Sequence, residues 1–170
     1  RSPGEFYQLD MEMAFATQED VFAVLEDVLP PIFAKFGTYD VASAAPFRRI
    51  PYNTALETYG SDKPDLRIDL TCKNVSRLFE NSEFEPLRGQ TVKMVDISDC
   101  TLTRKQVEKL LSDCEVQSGS KAYWFKVDEK GELAGGIAKF VTGLRPQLEQ
   151  VLTLAPNTLV VVAAGAAATK

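Results

Sequence analysis

The chain has 170 residues, 45% apolar and 25% charged, and a net charge of −5. These proportions suit a soluble globular protein with material for one large core or two small ones. The acidic balance argues against indiscriminate binding to phosphate backbones, which needs a surplus of Lys and Arg, but it leaves room for a local basic patch. There is no His, so the chain contains neither a Ser-His or Cys-His nucleophile pair nor a His metal ligand. Cys72, Cys100 and Cys114 are odd in number and lack CxxC spacing. They read as reduced thiols of a cytoplasmic protein, buried or half-buried, rather than a disulfide or zinc framework. No apolar run approaches the roughly 20 residues that span a bilayer, and no signal peptide is apparent. A start at Arg1 and an ending in GAAATK read as an excised piece of a longer protein.

In chain order, Glu5–Phe15 (EFYQLDMEMAF) alternates with the two-residue period of a strand. Tyr7, Leu9, Met11, Met13 and Phe15 share one side, and Phe6, Gln8, Asp10 and Glu12 share the other. On the pattern alone this is a half-solvated antiparallel strand. Thr17 with Asp20 forms a box-like helix start, and Val21, Leu25, Val28, Ile32 and Phe36 mark one helical face. Pro30 and Pro31 should kink or split that helix, and Gly37 should stop it. Arg49–Tyr52 reads as a short strand and Tyr52–Tyr59 as a short helix closed by Gly60. The turn-rich run Ser61–Arg67 then separates two expected domains, 1–67 and 68–170.

Beyond it, a short helix follows Thr71, with Val75, Leu78 and Phe79 apolar. Thr91–Ser98 reads as a strand. Thr103 caps a helix over Arg104–Cys114 whose buried side carries Val107, Leu110, Leu111 and Cys114. Lys121–Asp128 reads as a strand turned back by Asp128–Gly131 into a second, Gly135–Val141. Pro146 opens a helix through Leu152, and the apolar run Thr158–Ala163 marks a central strand. The order predicts an α+β fold, a mixed or antiparallel sheet with helices on one face. Gly135-Gly136 lacks the flanking glycines and Lys of a phosphate loop and reads as a strand bend. Asp65, Asp69 and the other acids have no spacing that specifies a metal. Arg48-Arg49, Lys63 with Arg67, and Arg104-Lys105-Lys109 form small basic clusters.

RSPGEFYQLDMEMAF resembles the second half of motif 2 of class II aminoacyl-tRNA synthetases, and more narrowly of bacterial-type aspartyl-tRNA synthetases. RIPYNTALETYGSDKPDLR, Arg49–Arg67, resembles the segment where that family's insertion domain begins. From about Asp69 the element order and GGIAKFV resemble its GAD domain, which a subunit of the tRNA-dependent amidotransferases shares. The resemblance covers nearly the whole chain. It implies a strand-helix piece of the catalytic domain followed by a GAD-type insertion domain. Phe6 then matches the aromatic that stacks on adenine, and Gln8 and Asp10 match polar positions beside the aspartate pocket. Many relatives read Arg-Gln-Pro-Glu-Phe where this chain has Arg1-Ser2-Pro3-Gly4-Glu5-Phe6, so Ser2 stands nearest to the amide that contacts ATP.

Arg1, Lys63, Arg67 or the Arg104–Lys109 helix would meet tRNA. ATP with Mg2+, L-aspartate and tRNA are the implied substrates of a homodimeric cytoplasmic parent. The fragment is expected to need no cofactor and to form no aspartyl-adenylate, because the phosphate-gripping Arg residues of motifs 2 and 3 lie elsewhere. The rival reading is a noncatalytic RNA- or protein-binding GAD module, as in the amidotransferase B subunit.

Overall fold

A computed structural model describes residues 4–38, 44–165 and 168 of the chain. They form two compact units, with the division between Arg49 and Ile50.

The first unit is built on α1 (Gln18–Phe36). The Thr17 hydroxyl accepts from the Asp20 N–H at 3.4 Å, while the Asp20 carboxylate accepts from the Thr17 N–H at 2.8 Å and its hydroxyl at 2.7 Å. This closes the expected capping box. The backbone donor and then the hydroxyl hold the Asp20 carboxyl below its ordinary value. Gly37 ends the helix, its N–H donating to the Phe33 carbonyl at 2.8 Å. Of the kink or split expected at Pro30 and Pro31, the split does not occur, since α1 runs through both. Proline's fixed φ is helical, so what is lost is two donors rather than the backbone path. Thr17→Ala should destabilise α1 by about 1 kcal/mol, read as faster amide exchange along Gln18–Phe36; unchanged exchange would show that the box contributes nothing.

Arg49 ties the following segment back to α1. Its guanidinium pairs with Glu19, lies 3.8 Å from Glu26 and stacks 4.8 Å from the centre of the Phe22 ring. Glu26 also accepts the Phe47 N–H at 2.9 Å.

The two strands expected ahead of Gly60 are corrected. Residues 6–13 of the Glu5–Phe15 segment carry no regular structure. A strand is stabilised by the ladder beside it, and nothing among the described residues pairs with this one. At Arg49–Tyr52, Pro51 has no N–H to give a ladder and instead caps α2 (Tyr52–Tyr59), which Gly60 closes at a φ of 68°.

The second unit holds an antiparallel sheet of β1 (Lys73–Asn74), β2 (Val92–Ile97), β3 (Ala122–Val127), β4 (Leu133–Ala134) and β5 (Leu159–Ala164), in the order β1-β2-β5-β3-β4. The apolar run at Thr158–Ala163 is central as expected. Val160 of β5 stands opposite Asp96 and Phe125, and Val162 opposite Met94 and Tyr123. β2 and β3 therefore run parallel with the last strand between them, connected through α3 (Arg104–Ser118).

The pleat divides the sheet's side chains between two cores. Val92, Met94, Phe125, Val127, Val160 and Val162 meet Phe79, Leu87, Val141 and Leu148 on one face. Trp124 and Leu159 meet Cys100 and the α3 residues Val107 and Leu111 on the other. The sheet is thus covered on both faces, by α4 (Ala138–Val141) and α5 (Arg145–Leu148) on the first and by α3 on the second. Helices confined to one face would leave half of the all-apolar β5 in water.

Smaller differences have local causes. Val107 and Leu111 alone are buried on α3, whereas Leu110 and Cys114 are exposed. Residues four apart stack in a line on a helix, and those two fall to one side of it. The helix expected after Thr71 is a 3-10 turn, Ser76–Phe79, with the Asn74 side chain accepting the Ser76 N–H at 3.1 Å. The hairpin at Asp128–Gly131 forms, but its second strand is Leu133–Ala134, and the strand expected over Gly135–Val141 is replaced by a glycine bend and α4. Gly135 and Gly136, at φ 75° and 42°, carry the chain across Trp124, whose carbonyl accepts the Ile137 N–H at 2.9 Å. Pro146 opens α5 as expected, and that helix ends at Leu148.

Asp96 joins three parts of this unit. It accepts from Lys73 Nζ at 2.6 Å and from the Thr153 N–H at 2.9 Å. Burial pushes its carboxyl up, but these two hydrogen bonds, with one from its own backbone N–H and the Lys73 charge, outweigh it and leave the group below its ordinary value.

Candidate functional site

The implied ATP and aspartate contacts lie in the first unit. Phe6, Gln8 and Asp10 are all exposed, Phe6 at 68%. The Gln8 Nε2 donates to Asp10 Oδ1 at 3.5 Å, the outer limit of a hydrogen bond. That contact puts the amide and the carboxylate on the same side of the segment. No ion pair among the described residues engages Asp10. Tyr7, Leu9, Met11, Met13 and Phe15 are exposed as well, so neither side of the alternation is covered. An accessible ring can stack on a flat heterocycle, and a carboxylate paired with an amide can hold an ammonium group by charge-assisted bonds. Ser2 and Arg1 lie outside the described residues.

Lys63 and Arg67 lie in the second unit, in a turn held by its own side chains. The Ser61 hydroxyl accepts the Lys63 N–H at 3.1 Å, and Lys63 Nζ sits 3.0 Å from Asp62. Arg67 forks onto Asp65, with Nε at 2.8 Å and Nη2 at 2.5 Å, while its backbone N–H reaches the same carboxylate at 3.1 Å. The Arg67 side chain, and then its N–H, draw the Asp65 carboxyl down to about 2. Each cation is thus accompanied by its own carboxylate, and phosphate would compete with Asp62 and Asp65. The α3 cluster is similar, with Arg104 2.7 Å from Glu108 and Lys109 2.8 Å from Asp113.

The sequence reading left Arg49 in a generic basic pair. Glu19 and Glu26, two turns apart on one face of α1, were the available sign that it has fixed partners. Among the described residues no group of three or more Cys, Asp or Glu side chains could hold a metal ion, and no helix is long and apolar enough to cross a membrane.

The family of class II tRNA synthetases (D, K and N) matches residues 1–146, and the chain belongs to that family. Within it, the chain is 42% identical to the aspartate–tRNA ligase of Streptomyces coelicolor, over 97% of its own length and 28% of that relative's. It is 41% identical to the aspartate–tRNA(Asp/Asn) ligase of Rickettsia prowazekii, over 93% and 26% of the two lengths. The ligase of the same description from Rickettsia akari is 40% identical, over 84% and 24%. The chain therefore spans about a quarter of the length of the relatives it matches.

Proposed function

We propose that this chain is part of an aspartate–tRNA ligase, which activates L-aspartate with ATP to aspartyl-adenylate and passes the aspartyl group to tRNA. The observation that carries this reading is the 42% identity to an aspartate–tRNA ligase over 97% of the chain. Phe6 stacks on adenine, Ser2 contacts ATP, and Gln8 and Asp10 border the aspartate pocket. Residues 1–67 belong to the catalytic domain and 68–170 to a GAD insertion domain. Arg1, Lys63 and Arg67 face tRNA. Mg2+ accompanies the phosphates of ATP, and the enzyme is a cytoplasmic homodimer. The noncatalytic GAD-module reading is disfavoured because the family match runs through Glu5–Phe15.

In this reading the fragment binds no cofactor and is inactive. Adenylate formation depends on cations held against the phosphates, whereas Phe6, Gln8 and Asp10 supply a ring, an amide and an anion. The test is aspartate-dependent ATP–pyrophosphate exchange. The 170-residue chain should show none. In the complete enzyme Phe6→Ala should raise the KM for ATP by about tenfold, the value of one aromatic stacking contact, with kcat little changed. An unaltered KM for ATP would sink the role given to Phe6, and robust exchange by the fragment would refute its inactivity.

A further inference from the structure

α3 covers only the Trp124–Leu159 part of its face of the sheet. Over the rest of that face lies a cavity of about 250 Å3. Its floor is Lys93 and Val95 of β2 with Val161 and Ala163 of β5, and its roof is Leu56 and Glu57 of α2. Cys72 forms a side wall, tied to α2 by its N–H, which donates to the Thr58 carbonyl at 2.7 Å. The space exists because β5 offers small side chains here: Ala163 stands opposite Lys93.

Among the described residues the cavity holds one cation, Lys93, and a dispensable counter-ion. The Lys93 side chain is only 12% exposed, whereas Glu57, 3.0 Å away, is 62% exposed. A carboxylate still largely in water gains little from pairing, while an ammonium on a side chain so largely covered needs an anion more than a surface lysine does. A ligand carboxylate entering the cavity can take the place of Glu57, which returns to solvent at small cost. The volume falls just below the range of drug-sized pockets and fits a short apolar body.

We propose that this cavity binds a small monocarboxylate with an apolar tail, its carboxylate on Lys93 in place of Glu57 and its tail against Leu56, Val95 and Val161. The proposal is independent of the ligase reading. Cys72 supplies the readout and exposed Cys114 the internal control. Hexanoate should slow alkylation of Cys72 by N-ethylmaleimide in the 170-residue chain, followed by mass spectrometry, and leave Cys114 unchanged. Hexanamide and hexylamine should protect Cys72 far less. Glu57→Gln should strengthen hexanoate protection by about two- to fivefold, what an exposed ion pair is worth, and Lys93→Met should abolish it. Should Lys93→Met fail to fold, the sign of the Glu57→Gln effect decides. Equal protection by all three probes, no protection, or weaker binding in Glu57→Gln would overturn the proposal.

Discussion

Gly136→Ala should destabilise the second unit by about 3 kcal/mol or more, seen as a lower urea midpoint followed through Trp124 fluorescence. At Gly136 the backbone φ is +42°, and an added Cβ would lie 1.8 Å from the Trp124 carbonyl oxygen. That oxygen cannot retreat freely, because it accepts the Ile137 N–H at 2.9 Å and belongs to a residue paired with Val161 in the central strand. Strain and overlap therefore add. Gly143 is the control: it has a negative φ and nothing within 4 Å of its Cβ position, so Gly143→Ala should be neutral or stabilise by about 0.5 kcal/mol. Equal midpoints for the two variants would refute the claim that the chain crosses Trp124 this closely.

The second large effect concerns Asp96. Asp96→Ala should destabilise the same unit by about 2–3 kcal/mol near neutral pH, because it leaves Lys73 and the Thr153 N–H without their acceptor. The pH dependence gives a separate test. The folded carboxyl titrates below its ordinary value, so its contribution is complete above about pH 4, the unfolded carboxyl's range. It is lost as pH falls through the lower folded value. The stability gap between wild type and Asp96→Asn should accordingly be widest near neutrality and narrow steadily below pH 4. A gap that stayed constant into acid would show that the carboxylate charge is not what Lys73 and Thr153 hold.

Local chemistry was legible in the sequence, and relations between distant segments were not. Thr17 with Asp20, Thr103 before α3 and Gly60 after α2 act within a few residues, and each cap stands where its residue type requires. The all-apolar run at Thr158–Ala163 announced a central strand because only such a strand is buried on both faces. The same fact required cover on both sides of the sheet, which the one-sided arrangement overlooked. Pro30 and Pro31 do not split α1 because the rule against helical proline concerns a missing donor and a clash, while the backbone angle itself is permitted. Gly135-Gly136 was rightly read as a bend, but the bend ends the strand instead of continuing it.

In the candidate site, the alternation of Glu5–Phe15 fixed which side chains share a side, and the Gln8–Asp10 contact agrees with it. The ladder such a segment needs is not encoded in its own residues. Nor could spacing reveal that Lys63 and Arg67 are each matched by an adjacent carboxylate in space, although Asp62 and Asp65 stood beside them in the sequence.

The position of β5 also sets an order of events during synthesis. β2 and β3 leave the ribosome before it, yet neither pairs with the other; both pair with β5. Until residues 159–164 emerge, the nascent unit can form α2, α3 and the short pairings β1–β2 and β3–β4, but no strand joins the two pairs, and the apolar sides of β2 and β3 remain uncovered. Folding is then gated by one late, long-range insertion, the kind of step that is slow and open to aggregation. Any stop or cleavage ahead of Leu159 would remove the middle of the sheet rather than an edge.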